Sequence, residues 1–98
     1  MKRLELRLEA RAEFLEAVRH YEAQRIGLGA RFKAEVERTL TRIATAPQQF
    51  AQVEPGYRRA VVHNFPYGVF FMGMVEDEIV VLAILHSRRN PKIWKNRR

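Results

Sequence analysis

Two short stretches hold most of the side chains able to do chemistry. His86-Ser87-Arg88-Arg89 closes a long apolar run near the end of the chain, and Arg58-Arg59 opens another apolar segment that finishes at His63. Clustered guanidinium groups offer fixed charge and bidentate donors that suit phosphate. An imidazole beside them can move a proton near neutral pH. Together they make the outline of a metal-independent ribonuclease, with His86 as acid or base and Arg59, Arg88 or Arg89 stabilising a phosphorane. The same residues read equally as a cationic binding surface, with His86 a hydrogen-bonded group at a strand end. His63 has no motif around it, and His20 lies inside a helical stretch; both read as structural. No metal-ligand spacing, Gly-rich phosphate loop or nucleophile elbow is present, so no metal and no cofactor is expected.

The elements that must position these groups follow from periodicity. Leu4, Leu6 and Leu8 alternate with Glu5 and Arg7, which predicts a short half-buried strand. A helix is expected over about 10–25, with Phe14, Ala17, Val18 and Tyr21 on one stripe and Glu9, Glu13 and Glu16 near its beginning, where they suit the helix dipole. Gly27 and Gly29 punctuate it. A second helix to about Ala46 carries Leu28, Phe32, Val36, Leu40 and Ile43 on its inner face, and Pro47 stops it. Residues 47–56 read as a loop bracketed by prolines. Three strands are then expected: 57–63, 67–75 after Phe65-Pro66, and 79–85 after the acidic turn Glu76-Asp77-Glu78. Their short connections imply an antiparallel meander. The fold class is therefore α+β, in the order β-α-α-β-β-β, with a helical hairpin packed on a small, mainly antiparallel sheet. Alternation sends Arg58 and Arg59 to opposite faces, so at most one of them shares a site with the later cations.

Ninety-eight residues make one domain, 1–98, large enough for one core without staples. There is no Cys, so disulfides and thiolate metal sites are excluded. No apolar run approaches the ~20 residues of a membrane span, and MKRLELRLEAR lacks a signal-peptide apolar core; the expectation is a cytoplasmic protein with no membrane partner. Net charge is +7, and it is local. Six of the 18 Lys and Arg follow His86 and all 11 acids precede it, so the first 85 residues are nearly neutral and residues 87–98 form a basic tail. Such a patch suits nucleic acid or an acidic protein segment. Ile93 and Trp94 inside it argue for order, whereas residues 95–98 add charge and no core.

Both faces of the last two strands are apolar. Val69, Phe71, Val75, Val81, Ala83 and Leu85 alternate with Phe70, Met72, Met74, Val80, Leu82 and Ile84. One helical layer covers one face. The other needs the tail, folded back through Ile93 and Trp94, or a partner chain.

The order strand, helical hairpin, strand meander, with YRRAVVHNFPYGVFF followed by IVVLAILHSRRNPKIW, resembles the RelE/ParE superfamily of type II toxins and is most similar to its ParE branch. The specific parts are Arg58-Arg59, Phe65-Pro66-Tyr67 and His86-x-Arg88-Arg89-x-Pro91-x-x-Trp94. The resemblance implies a small growth-inhibiting toxin of the plasmid-stabilization kind, encoded beside an antitoxin that wraps it with an acidic or amphipathic segment. ParE-type toxins poison DNA gyrase; RelE-type toxins cut messenger RNA on the ribosome, with cationic residues and commonly a C-terminal Tyr. Here Trp94 stands near the end, and the tyrosines are Tyr21, Tyr57 and Tyr67. The resulting expectation is gyrase inhibition by binding, without chemistry. The alternatives are a ribosome-dependent endoribonuclease using His86 with Arg59, Arg88 or Arg89, and an inactive antitoxin-binding module. Target contact is expected from Arg58, Arg59, His86, Arg88, Arg89, Lys92 and Trp94, and antitoxin contact from Phe70, Met72, Met74, Val80, Leu82 and Ile84.

Overall fold

The computed structural model describes residues 1–73, 77–89 and 91–97. The strand β1 (Arg3–Leu6) leads into helix α1 (Leu8–Gln24) and helix α2 (Leu28–Thr45). A 3-10 turn (Pro47–Gln49) follows, then β2 (Gln52–Glu54), β3 (Tyr57–Val61), β4 (Tyr67–Gly73), β5 (Glu78–His86) and a C-terminal 3-10 segment (Pro91–Asn96). The strands form one sheet in the order β1-β5-β4-β3-β2. β1 runs parallel to β5, and the other neighbours are antiparallel. Two helices on a five-stranded mixed sheet make the expected α+β arrangement, enlarged by β2. That strand sits inside the proline-bracketed segment read as a loop.

The helical hairpin closes tightly. The expected strand pattern through Leu8 breaks because α1 begins there, leaving Leu8 81% exposed. Gly27 takes a left-handed φ of 90° ahead of α2 and supplies no side chain to cap it. The cap comes from α1 instead: the Glu22 carboxylate accepts the backbone N–H groups of Gly27 at 3.0 Å and Gly29 at 3.0 Å. A negative group there also complements the helix dipole. Gly29 lets the helices approach, since a Cβ on it would lie 2.7 Å from the Val18 carbonyl oxygen. The hairpin then buries Ala10, Ala17, Phe32, Val36 and Ile43 against Val69, Phe71, Ile79 and Val81 of the sheet. Each large side chain so buried contributes roughly 1.5–3 kcal/mol.

β5 does not alternate to its end. Phe70 pairs with Ala83 and Phe71 with Val81, so Leu82 is the extra residue of a β-bulge. The bulge exchanges the faces beyond it. Ile79, Val81 and Ile84 face the helices, while Val80, Leu82, Ala83 and Leu85 face away. Simple alternation had placed Ile84 with Val80 and Leu82, and the bulge corrects that.

The far face is covered by the chain's own tail. Trp94 is 2% exposed and packs in one cluster with Tyr57, Phe70, Val80, Leu82, Ala83 and Leu85. Its ring lies 4.6 Å from that of Tyr57 and stacks at 5.8 Å on Phe70. Of the residues expected to meet an antitoxin, Phe70, Val80 and Leu82 are therefore buried within the chain, Met72 is half-buried, and Ile84 lies on the helix side. Met74 lies outside the described residues, as do Val75 and Glu76 of the expected strand end and acidic turn. Among the described residues no helix is long and apolar enough to cross a membrane.

Candidate basic site at the end of the sheet

The site is built at the corner where β5 ends beside the start of β4. Asn64 takes a left-handed φ of 68° and turns the chain between β3 and β4. Phe65 accepts the Tyr67 backbone N–H at 2.8 Å, and Pro66 offers its carbonyl to Ser87 N–H at 2.7 Å. The turn after β5 is thus anchored on the Phe65-Pro66-Tyr67 corner. Within that turn, the Arg89 backbone N–H donates to the His86 carbonyl at 2.9 Å, and the Arg88 N–H donates to His86 Nδ1 at 3.0 Å. The second bond makes Nδ1 an acceptor and leaves the proton of the neutral ring on Nε2.

Tyr67 is the cross-strand partner of His86, and their rings meet edge to face at 5.3 Å. Tyr21 of α1 packs on Tyr67 at 6.0 Å, and His20 lies edge-on to Tyr21 at 5.4 Å. Burial pushes the Tyr67 hydroxyl pKa up, with Tyr21 adding to the rise and Arg89 opposing it. At neutral pH Tyr67 is a proton-bearing donor rather than a base. Sequence reasoning read Tyr67 only as a strand start; the pairing of two strands in one hairpin was the signal that could have set it beside His86.

Two hollows flank this corner. One, about 150 Å³, lies on the far face and is lined by Arg59, Gly68, Phe70, Leu85, His86 and Arg89 among others. The second, an open groove of about 460 Å³, runs between α1 and the end of β5, with Glu16, His20, Tyr67, His86 and Arg89 in its walls. His86 and Arg89 border both.

The expected cations separate into used and available ones. Arg58 pairs across to Phe71, on the helix side, and donates to the Phe50 carbonyl at 2.6 Å. Arg59 pairs across to Phe70, on the far side, and lines the same hollow as His86 and Arg89. The two arginines do point to opposite faces, and only Arg59 joins the site. Lys95 pairs with Glu54 at 2.7 Å, and Arg97 with Glu13 at 2.9 Å. Among the described residues Arg59, Arg88 and Arg89 have no carboxylate partner. Lys92 is exposed nearby, bordering a neighbouring hollow with Arg59 and Trp94. Trp94, expected to contact a target, is instead part of the packing beneath this surface. His63 is exposed in the turn between β3 and β4, next to Asn64. Among the described residues no group of three His, Asp or Glu could hold a metal ion.

The arrangement can grip an anion strongly. For acid–base work it offers the His86 imidazole and the Tyr67 phenol, and among the described residues no carboxylate is hydrogen-bonded to either.

A family model described as the ParE toxin of type II toxin-antitoxin system, parDE, matches residues 4–91. A search among curated proteins gives no match. Among solved structures, one described as the chromosomal ParDE TA system from P. aeruginosa aligns with a TM-score of 0.75 at 19% identity, covering 88% of this chain and 96% of that one. At that identity the likeness is one of fold.

Proposed function

Since the chain belongs to the ParE toxin family of type II toxin-antitoxin systems, we propose that it inhibits DNA gyrase by binding and is held inactive by a cognate antitoxin. The observation that supports binding over catalysis is the set of three arginines, Arg59, Arg88 and Arg89, without carboxylate partners among the described residues, at a corner whose imidazole Nδ1 is already engaged by the chain's own backbone. Fixed charge on a rigid strand end suits recognition, because guanidinium groups keep their charge at any working pH and need no proton transfer. The antitoxin is a protein with an acidic or amphipathic segment, matched to this basic end.

Purified chain is expected to block supercoiling of relaxed plasmid by purified gyrase, and addition of the antitoxin is expected to restore it. Unchanged supercoiling at saturating toxin would refute the assignment. A second reading has one specific observation in its favour, the contact of Tyr67 with His86. A phenol and an imidazole at 5.3 Å between ring centres, beside arginines, are the parts a ribosome-dependent messenger endoribonuclease would use. Cleavage of ribosome-bound messenger tests it directly.

A further inference from the structure

The 150 Å³ hollow on the far face is built unlike the rest of the basic end. Its floor is Gly68. A Cβ there would meet Arg59 Cδ at 3.2 Å, Arg59 Cγ at 3.3 Å and the Phe70 ring at 3.5 Å. The missing side chain therefore lets the Arg59 stem pack over Gly68, and beside that stem the hollow is lined by Val61, Phe70 and Leu85. Its polar lining includes the Arg59 and Arg89 guanidinium groups, the Ser87 hydroxyl, and His86, whose Nε2 holds the proton of the neutral ring because Nδ1 accepts from Arg88. Among the described residues no carboxylate lines it. The volume is about half the lower end of the roughly 300–1,000 Å³ typical of small-molecule pockets. It accepts one flat ring, and excludes a helix or a duplex.

An apolar recess of ring size beside two guanidinium groups matches one ligand chemistry, a planar ring joined to a phosphate. We infer that this hollow binds one nucleotide of an unpaired nucleic-acid strand, with the base against the Arg59 stem and Phe70 and the phosphate between the Arg59 and Arg89 guanidinium groups. This deepens the proposed function, and rests on its reading of this corner as the working face: a toxin acting on a DNA-handling enzyme would meet strand as well as protein. Stacking and guanidinium contacts of this kind tolerate any base, so the site reads an exposed strand and not a sequence.

The test is fluorescence anisotropy of labelled pentathymidylate with the full chain. Binding is expected to weaken roughly 3-fold between 50 and 200 mM salt if the one phosphate between the two arginines is neutralised. Arg59→Gln and Arg89→Gln should each weaken it about ten-fold, as loss of a charged hydrogen bond does. Gly68→Ala should weaken it while leaving both charges in place. Should Gly68→Ala fail to fold, Arg89→Gln, on an exposed turn, carries the test. Equal affinity for an oligoaspartate peptide of matched charge, or unchanged binding in the variants, overturns the inference. Supercoiling inhibition is measured in parallel and keeps the two claims separate. Strand binding that depends on this hollow, without gyrase inhibition, sinks the gyrase reading alone. Inhibition without such strand binding sinks this inference alone.

Discussion

Glu13 and Arg97, 84 positions apart, form a side-chain bridge across the open edge of β5. β1 pairs with β5 only as far as Val81, so the backbone groups beyond it face no strand on that side. Glu13 accepts the Ile84 backbone N–H at 3.1 Å. Arg97 donates to the Leu82 carbonyl at 3.3 Å and to both Glu13 oxygens at 2.9 Å. An acid from the first helix and a base from the tail thus do the work of a missing strand at the bulge, and they close the tail over Trp94.

This changes what the last residues are expected to do. Residues 95–98 look dispensable from composition, yet Arg97 is largely buried and its partner is too. Arg97→Ala, or truncation after Trp94, leaves Glu13 and the Leu82 carbonyl with reduced satisfaction. Each should lower stability by about 1.5–3 kcal/mol, the worth of a hydrogen bond to a charged group. Urea unfolding measures it, and an unchanged midpoint would mean that the bridge contributes nothing to the fold.

Trp94 tests the tail from the other side. Its ring is buried on Tyr57 and Phe70, while its Nε1 has no hydrogen-bond partner among the described residues. Removal of the ring in Trp94→Ala should cost roughly 3–5 kcal/mol. Trp94→Phe keeps an aromatic on Phe70 and deletes the orphaned N–H, so it should cost much less. Thermal unfolding of the two variants side by side checks the contrast; equal losses would show that a single aromatic ring in that place contributes nothing.

The hairpin gives a test independent of the basic end. Gly29→Ala puts a Cβ 2.7 Å from the Val18 carbonyl oxygen and 2.9 Å from Glu22 Cβ, and the nearer of these is backbone. The helices must separate, at about 1–3 kcal/mol as in other overpacked sites. A stability equal to that of the parent chain would show that the helices part at no cost.

What could be read from the sequence divides along physical lines. The helices were legible because the stripe Phe32, Val36, Ile43 repeats with the helix and is buried as read. The opposition of Arg58 and Arg59 was legible because a strand alternates. The bulge at Leu82 was not, since every residue from Ile79 to Leu85 is apolar and no polar position marks the change of phase. β2 was hidden because Gln52-Val53-Glu54 borrows its pairing from β3 and has no pattern of its own. Glu22 as a cap, Glu13 as an edge cover and Tyr67 as a neighbour of His86 each depend on elements meeting in space. Composition carries no trace of such meetings.

Tyr67 predicts a pH dependence. Burial raises its pKa above the ordinary value of 10.0, with Tyr21 adding to the rise. A raised native pKa means that the unfolded chain loses this proton first. The phenol's contribution is therefore fully present below about pH 10 and is lost as pH climbs from there through the native value. Tyr67→Phe should flatten the fall in urea midpoint above pH 10 relative to the parent. Parallel curves for the two proteins would mean that Tyr67 ionises as freely in the fold as out of it.

His86 separates the two functional readings. Binding to gyrase needs the shape and charge of the corner but no proton transfer. His86→Gln preserves a polar side chain there, so supercoiling inhibition should largely survive it. Arg88→Ala and Arg89→Ala remove charges that have no carboxylate partner among the described residues, so each should weaken inhibition while costing little stability. If the chain instead cuts messenger on the ribosome, His86→Gln should lower the rate by something like the 10²–10⁴ of general acid–base catalysis. Tyr67→Phe, which keeps the ring against His86 and removes only the hydroxyl, should then slow cleavage as well. Cleavage abolished by His86→Gln, together with gyrase untouched by the parent protein, would transfer the corner from binding to catalysis and make Tyr67 and His86 its working pair.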